Sequence, residues 1–198
     1  MTKLYLIRHG QKQIHAGDPG LTKIGFNQAK ETGEYLKQFP INKIISSPLK
    51  RTVETAQQIA KVLNLKYSLD KALIERMIWS DPKITRQEFI REWIKSTNNR
   101  EYVPKYGDSS RATGERIHQL VNKVSKDQNH IVFVTHGGAI LDYLRNMFGD
   151  AKLSSIKIAY QEGNDFQMMN CAINKIVSDN KPVLKMLNFT EHLTTKSE

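Results

Sequence analysis

The chain has 198 residues, of which 39% are hydrophobic and 25% charged, a balance that excludes a disordered chain and fits a domain with a sizeable core. Its formal net charge of +10 suits anionic partners such as phosphorylated metabolites. The basic residues are scattered, with no run of five or more, which argues against a nucleic-acid arm. Cys171 is the single cysteine, so an intrachain disulfide and a cysteine-based zinc site are excluded, and a cytoplasmic, reducing location is expected. The apolar run Leu4–Ile7 is too short for a signal peptide, and no later segment approaches a membrane span. A homo-oligomer is compatible with all of this, though composition sets no oligomeric state.

In chain order, Lys3–Ile7 reads as a short strand, apolar on both faces. A loop with turn chemistry at Gly17-Asp18-Pro19-Gly20 follows. Thr22 is placed to cap a helix running from Lys23 to about Phe39, where Pro40 ends it. Lys43–Ser46 predicts a second strand, Ser46-Ser47-Pro48 a turn, and about Leu49 to Leu63 a second helix, with Lys66–Leu69 a third strand. This alternation implies right-handed crossovers and a largely parallel sheet.

Leu73 to about Ser110 is the least regular part. It holds an amphipathic helix, about Thr85 to Lys95, with Phe89, Ile90, Trp93 and Ile94 expected on one side. A core placement is expected for Phe89 and Trp93, while Tyr102 and Tyr106 are left open between core and ligand. The stretch of about 76–110 breaks the alternation and reads as a lid over the carboxyl edge of the sheet, within a single domain of 1–198. A helix from about Thr113 to Lys126 comes next, then the strand Ile131–Val134 and a helix from Ala139 to about Met147. Phe166–Val177 and Val183–Asn188 read as the last strands, and the tail from His192 is polar.

The chemistry gathers at strand ends. One strand runs into Arg8-His9-Gly10 and another into His136-Gly137-Gly138, while Arg51 opens the helix after the Ser46-Ser47 turn. In a parallel sheet these ends open on one edge, so two imidazoles and two guanidiniums converge there. Helix N-termini at Pro48–Arg51 and Gly138–Ile140 are expected to add backbone N–H donors. Such a pocket suits a phosphate dianion, whose oxygens match the guanidinium fork. From the residues alone, His9 is open between a nucleophile, a metal ligand and a satisfied structural histidine. No acidic cluster at ligand spacing supports a metal.

At this point the chain resembles the histidine phosphatase superfamily, which includes cofactor-dependent phosphoglycerate mutase. The resemblance rests on Arg8-His9-Gly10, Leu21-Thr22…Gly25…Gln28-Ala29, Ser46-Ser47-Pro48-Leu49…Arg51…Thr55-Ala56, Leu73-Ile74-Glu75 and Val134-Thr135-His136-Gly137-Gly138. It continues through Asn170-Cys171-Ala172-Ile173 and Asn188-Phe189-Thr190…His192-Leu193. It implies a three-layer α/β/α sandwich with a mostly parallel, mixed central sheet. It also implies that His9 attacks phosphorus to give a phosphohistidine, that Arg8, Arg51 and His136 hold the phosphoryl oxygens, and that Glu75 is the proton donor. No metal or other cofactor is required, because the guanidiniums supply the positive charge. Gln11, Lys12 and Gly137 are the further candidates for substrate contact.

Two departures bear on function. Lys12 stands where the family has Thr, and His15 where it has Asn. Beyond Glu75, Arg76-Met77-Ile78-Trp79-Ser80 lacks the Trp-Glu-Gly continuation of the mutases. The leading expectation is therefore a phosphomonoesterase acting on a small phosphorylated substrate. The alternatives are a phosphoglycerate mutase-type isomerase and a non-enzymatic phospho-ligand or nucleic-acid binding protein. His15, His118, His130 and His192 are expected to be surface or packing residues.

Overall fold

The computed structural model describes residues 1–81, 83–125, 129–155, 168–179 and 181–195. Its centre is a six-stranded sheet in the order β3-β2-β4-β1-β5-β6. The strands are β1 (Thr2–Arg8), β2 (Lys43–Ser46), β3 (Tyr67–Leu69), β4 (His130–Thr135), β5 (Ile173–Ser178) and β6 (Pro182–Phe189). The first four run parallel, β5 pairs antiparallel with β1, and β6 antiparallel with β5. This is the mixed sheet that the resemblance implies.

Side-chain alternation explains why the central strands β1 and β4 are apolar on both faces. In β1, Leu4 and Leu6 enter one core while Tyr5 and Ile7 enter the other. In β4, Ile131 and Phe133 join the first core and Val132 and Val134 the second. The helices α1 (Lys23–Leu36) and α2 (Lys50–Leu63) cover one face through Leu36, Ala56, Ile59 and Ala60. The helices α4 (Ser110–Val124), α5 (Gly137–Phe148) and α6 (Asp150–Ser155) cover the other through Ile117, Ile140, Leu144 and Leu153. Two buried faces on one sheet make the three layers.

Helix ends differ from the sequence reading for local reasons. Thr22 caps α1 as expected, its hydroxyl accepting from Gly25 N–H at 3.1 Å, a contact of the kind that contributes about 1 kcal/mol. The helix stops at Leu36, because Lys37 and Phe39 turn to tighter three-residue bonds ahead of Pro40. α2 begins at Lys50, with Leu49 as an extended N-cap that offers no side-chain acceptor. α4 starts earlier than expected, at Ser110, because the Ser109 hydroxyl accepts from Ala112 N–H at 3.1 Å. Its predicted end at Lys126 lies outside the described residues. α6 was not expected. Of the predicted strand Phe166–Val177, residues 166–167 lie outside the described residues, Met168–Ala172 is a turn, and only the rest pairs as β5.

The helix α3 (Arg86–Asn98) starts with a capping box between Thr85 and Glu88. Its orientation corrects the sequence reading. Ile90 and Ile94 are each 41% exposed, while Glu92 and Ser96 are buried. Trp93 lies outside both hydrophobic cores and packs under the Arg76 guanidinium, 4.2 Å from its ring centroid. Polar groups thus take the inward face, where Thr97 meets Arg76, Ser96 meets Met77, and Glu92 accepts from the Tyr102 hydroxyl and Lys105 N–H.

Candidate active site

Strand register delivers the site. Arg8 of β1 pairs with Thr135 of β4, and Ser46 of β2 pairs with Val134, so the three strands end level with one another. The residues one step beyond are His9, His136 and Ser47. The His9 and His136 rings meet edge to face with centroids 5.3 Å apart. Both are buried, at 3% and 0% exposure.

His9 is held from both sides of its ring. Its Nδ1 lies 2.8 Å from Gly10 O, and Arg51 Nε–H donates to its Nε2 at 3.2 Å. An Nδ1–H donated to a carbonyl puts the lone pair on Nε2. Burial first, then the charges of Arg8 and Arg51, hold its pKa well below the ordinary histidine value. The backbone around it is pinned: His9 N–H donates to Thr135 O at 3.0 Å, and Asn170 Nδ2 donates to His9 O at 3.2 Å. Gly10 N–H donates to Thr55 Oγ1 at 3.1 Å. Gly10 must be glycine because a Cβ there would stand 2.5 Å from Gly25 O in α1.

His136 Nε2 lies 2.9 Å from Ser47 Oγ, and its Nδ1 has no protein partner. Burial, followed by Arg51 and His9, lowers its pKa well below the ordinary value too. Arg8 donates through Nη1 to Met168 O, and its Nε is buried without a hydrogen-bond partner. The Arg8 side chain lies across the first turn of α5, with Cδ and Nε 3.5 Å from where a Gly137 Cβ would stand. Arg51 is 6% exposed and reaches Asp18 Oδ1 at 3.4 Å.

The two helix N-termini differ from expectation. They face the site, but carboxylates take several of their N–H groups. Glu75 Oε1 accepts from Ala139 N–H at 2.8 Å and Arg76 N–H at 2.9 Å, and Oε2 accepts from Gly138 N–H at 3.2 Å. Asp18 accepts from Lys50 N–H at 2.9 and 3.0 Å, so it caps α2 from the loop between β1 and α1. Asp18 was missed because it was read only as turn chemistry. The signal available was the start of α2, where Leu49 supplies no cap and an acceptor must come from elsewhere. Ser47 and Asn170 were likewise quoted as sequence blocks and given no role.

The remaining candidates divide. Gln11 turns away, accepting from the Thr22 hydroxyl at 2.7 Å through Oε1. Lys12 stays near the guanidiniums of the site, and burial first, then its charged neighbours Arg51, Arg8 and Arg86, lower its pKa. Its Nζ donates to Gln13 O at 3.3 Å. His15 is exposed and binds only the adjacent Ala16 O. Tyr102 donates to Glu92 at 2.8 Å, whereas Tyr106 lines a cavity of about 440 Å³ that Glu75 and Arg76 also border. Among the described residues, no group of three or more His, Cys, Asp or Glu side chains is placed to hold a metal ion.

The arrangement is a buried, cationic cluster around an imidazole whose Nε2 accepts from the Arg51 guanidinium. Residues 4–190 match the profile of the histidine phosphatase superfamily, branch 1. The chain belongs to that superfamily. It is 29% identical over 152 residues to phosphoserine phosphatase 1 of Hydrogenobacter thermophilus, covering 69% of this chain and 71% of that protein. It is 26% identical over 155 residues to a bifunctional protein of Mycobacterium tuberculosis. That match covers 71% of this chain but only 40% of the mycobacterial protein, so the chain spans less than half of that relative. A mycobacterial glucosyl-3-phosphoglycerate phosphatase solved with inorganic phosphate superposes with a TM-score of 0.77 at 19% identity, covering 98% of this chain and 100% of that one. This likeness confirms the fold. No helix among the described residues is long and apolar enough to cross a membrane.

Proposed function

We propose that this superfamily member is a phosphomonoesterase that hydrolyses a small phosphorylated substrate through a phosphohistidine on His9. The observation that carries the reading is the His9 ring. Its Nδ1 is engaged by Gly10 O and its Nε2 lone pair faces the Arg51 guanidinium in a buried cationic site. A neutral imidazole meets a phosphate dianion without the repulsion a carboxylate would suffer.

In the first step Nε2 attacks phosphorus in line, an N–P bond forms and the P–O bond to the leaving alcohol breaks. Arg51 exchanges its bond to Nε2 for one to a phosphoryl oxygen, and Arg8 offers its Nε–H to another. The Ser47 hydroxyl accepts from Leu49 N–H at 3.4 Å, so it can donate to His136 Nε2 and leave Nδ1–H of that ring to serve the phosphate. Glu75, electrostatically coupled to both Arg8 and Arg51, gives its proton to the leaving oxygen. In the second step water attacks phosphorus, the N–P bond breaks, and Glu75 takes the water's proton. Lys12 adds a cation at the rim.

Residues 76–110 act as a lid, a reading supported by α3 resting on the start of α5. The relatives named above act on phosphoserine and glucosyl-3-phosphoglycerate by name, which supports a small phosphorylated metabolite as the substrate class here. The buried lone cysteine supports a reducing, cytoplasmic setting.

The test is p-nitrophenyl phosphate hydrolysis by wild type and His9→Ala, with an alkaline detergent quench to trap an acid-labile, alkali-stable phosphoenzyme. Wild type should show both, and His9→Ala neither. Unchanged turnover in His9→Ala would sink the mechanism. With 3-phosphoglycerate as substrate, accumulation of 2-phosphoglycerate without matching free phosphate would favour the mutase instead.

A further inference from the structure

Arg76 directly follows Glu75, yet its guanidinium takes no part in the steps above. It is 3% exposed and ties together the segments around the site. Its backbone N–H donates to Glu75 Oε1 at 2.9 Å, and its carbonyl accepts from Asp108 N–H at 2.9 Å. Nη1 donates to Asp142 Oδ1 on α5 at 3.2 Å, and Nη2 donates to Thr97 Oγ1 on α3 at 2.7 Å. The guanidinium carbon lies 4.2 Å from the Trp93 ring centroid. Asp142 is itself steadied by the Ser110 hydroxyl at 2.6 Å.

Trp93 carries this arrangement to Glu75. A Cβ built on Gly138 would stand 2.5 Å from Trp93 Cη2 and 2.7 Å from Glu75 Oε1. The indole edge and the carboxylate therefore crowd the same face of the first turn of α5. Only glycine leaves room for both.

The pair is poorly designed as a simple fold stabiliser. Arg76 Nε and Asp142 Oδ2 are buried without hydrogen-bond partners. Buried ion pairs with such gaps are no better for stability than apolar pairs of similar volume. What an apolar pair cannot do is reach α3, α5 and an indole face from one rigid plane.

We propose that Arg76, held by Asp142, is a positioning residue that locks Trp93 and α3 over Gly138 and thereby fixes Glu75 at the α5 N-terminus. Arg76 exchanges no proton and touches no reacting atom. The inference rests on the reading of Glu75 as the proton donor.

The experiment compares two substrates. An alkyl phosphate such as glycerol 3-phosphate needs its leaving oxygen protonated, whereas p-nitrophenyl phosphate barely does. The readout is the ratio of kcat/KM for the first over the second, which covers only the steps up to the phosphoenzyme and leaves out its hydrolysis, common to both substrates. The paired variant Arg76→Met/Asp142→Leu removes both charges together and strands neither. It should stay folded by circular dichroism and lower the ratio by roughly tenfold or more, part of the range a general acid supplies. Glu75→Gln should lower the ratio as well, and adding the paired substitutions to Glu75→Gln should leave it unmoved. A wild-type ratio in the folded paired variant, or a further fall in the Glu75→Gln background, would overturn the inference. If Glu75→Gln lowers kcat/KM for both substrates equally, the proton-donor reading itself fails and the positioning role with it. If Glu75→Gln lowers the ratio and the paired variant does not, only the positioning role falls. Should the paired variant not fold, Thr97→Val and Trp93→Leu carry the same comparison, with the same two outcomes deciding it.

Discussion

His9 and His136 are buried among cations, and this decides the ionisation on which the proposed mechanism depends. Desolvation and the neighbouring guanidiniums act in the same direction on both rings, so each is neutral well below pH 6.5. The sign follows directly: protonation of the free enzyme at these rings begins only at pH values under the usual histidine range. We therefore expect kcat/KM for p-nitrophenyl phosphate to show no acid limb centred near pH 6.5. A pH series with a non-phosphate buffer checks this, and a limb at 6.5 that disappears in His136→Gln would show that His136 titrates normally. Much of this was legible beforehand, because Arg8-His9-Gly10 and Thr135-His136-Gly137 each follow an unmistakable buried strand. The tautomer was not legible. It depends on Gly10 O and Ser47 Oγ, whose positions come from a backbone turn and from a different strand.

At the scale of elements, α5 carries a buried carboxyl. Asp142 is fully buried in its middle, and burial pushes its carboxyl up to about 7 despite the opposing pull of Arg76 and the Ser110 hydroxyl. Desolvation wins because the ion pair is a single 3.2 Å bond and Oδ2 has no partner. A carboxyl whose folded pKa is raised stabilises the fold fully below its unfolded value of about 3.8 and loses that contribution as pH rises through about 7. The stability of wild type relative to Asp142→Asn should accordingly fall as pH rises from about 4 to about 7. Urea midpoints of both proteins at four pH values would measure it, and a constant difference would show that Asp142 does not titrate in this window. The α3 helix was only half legible. Its capping box and 3.6-residue period are local, so the helix itself was expected. Which side faces inward is not local: with Glu92 and Ser96 buried and Ile90 and Ile94 exposed, the polar surface beneath it made the choice.

For the whole molecule, the net charge of +10 and the cationic cluster act together on an anionic substrate. The kcat/KM for a phosphomonoester dianion should fall as potassium chloride rises from 20 to 200 mM, by roughly two- to tenfold as the Debye length shortens, with kcat little changed. Stopped assays at fixed pH would test it, and a flat response would confine the electrostatics to direct contact. The sequence by itself determined the four parallel strands, the helices other than α6 and the convergence of Arg8, His9, Arg51 and His136. Strand apolarity and helix period are properties of neighbouring residues, and parallel crossovers put the carboxyl ends of β1, β2 and β4 on one edge. Only the tertiary structure decided what those groups bind to. Asp18 and Glu75 occupy helix N-termini that looked open, and Arg76 spends its fork on Asp142 and Thr97. Those pairings arise when elements pack, because a buried donor takes whichever acceptor the fold leaves within reach.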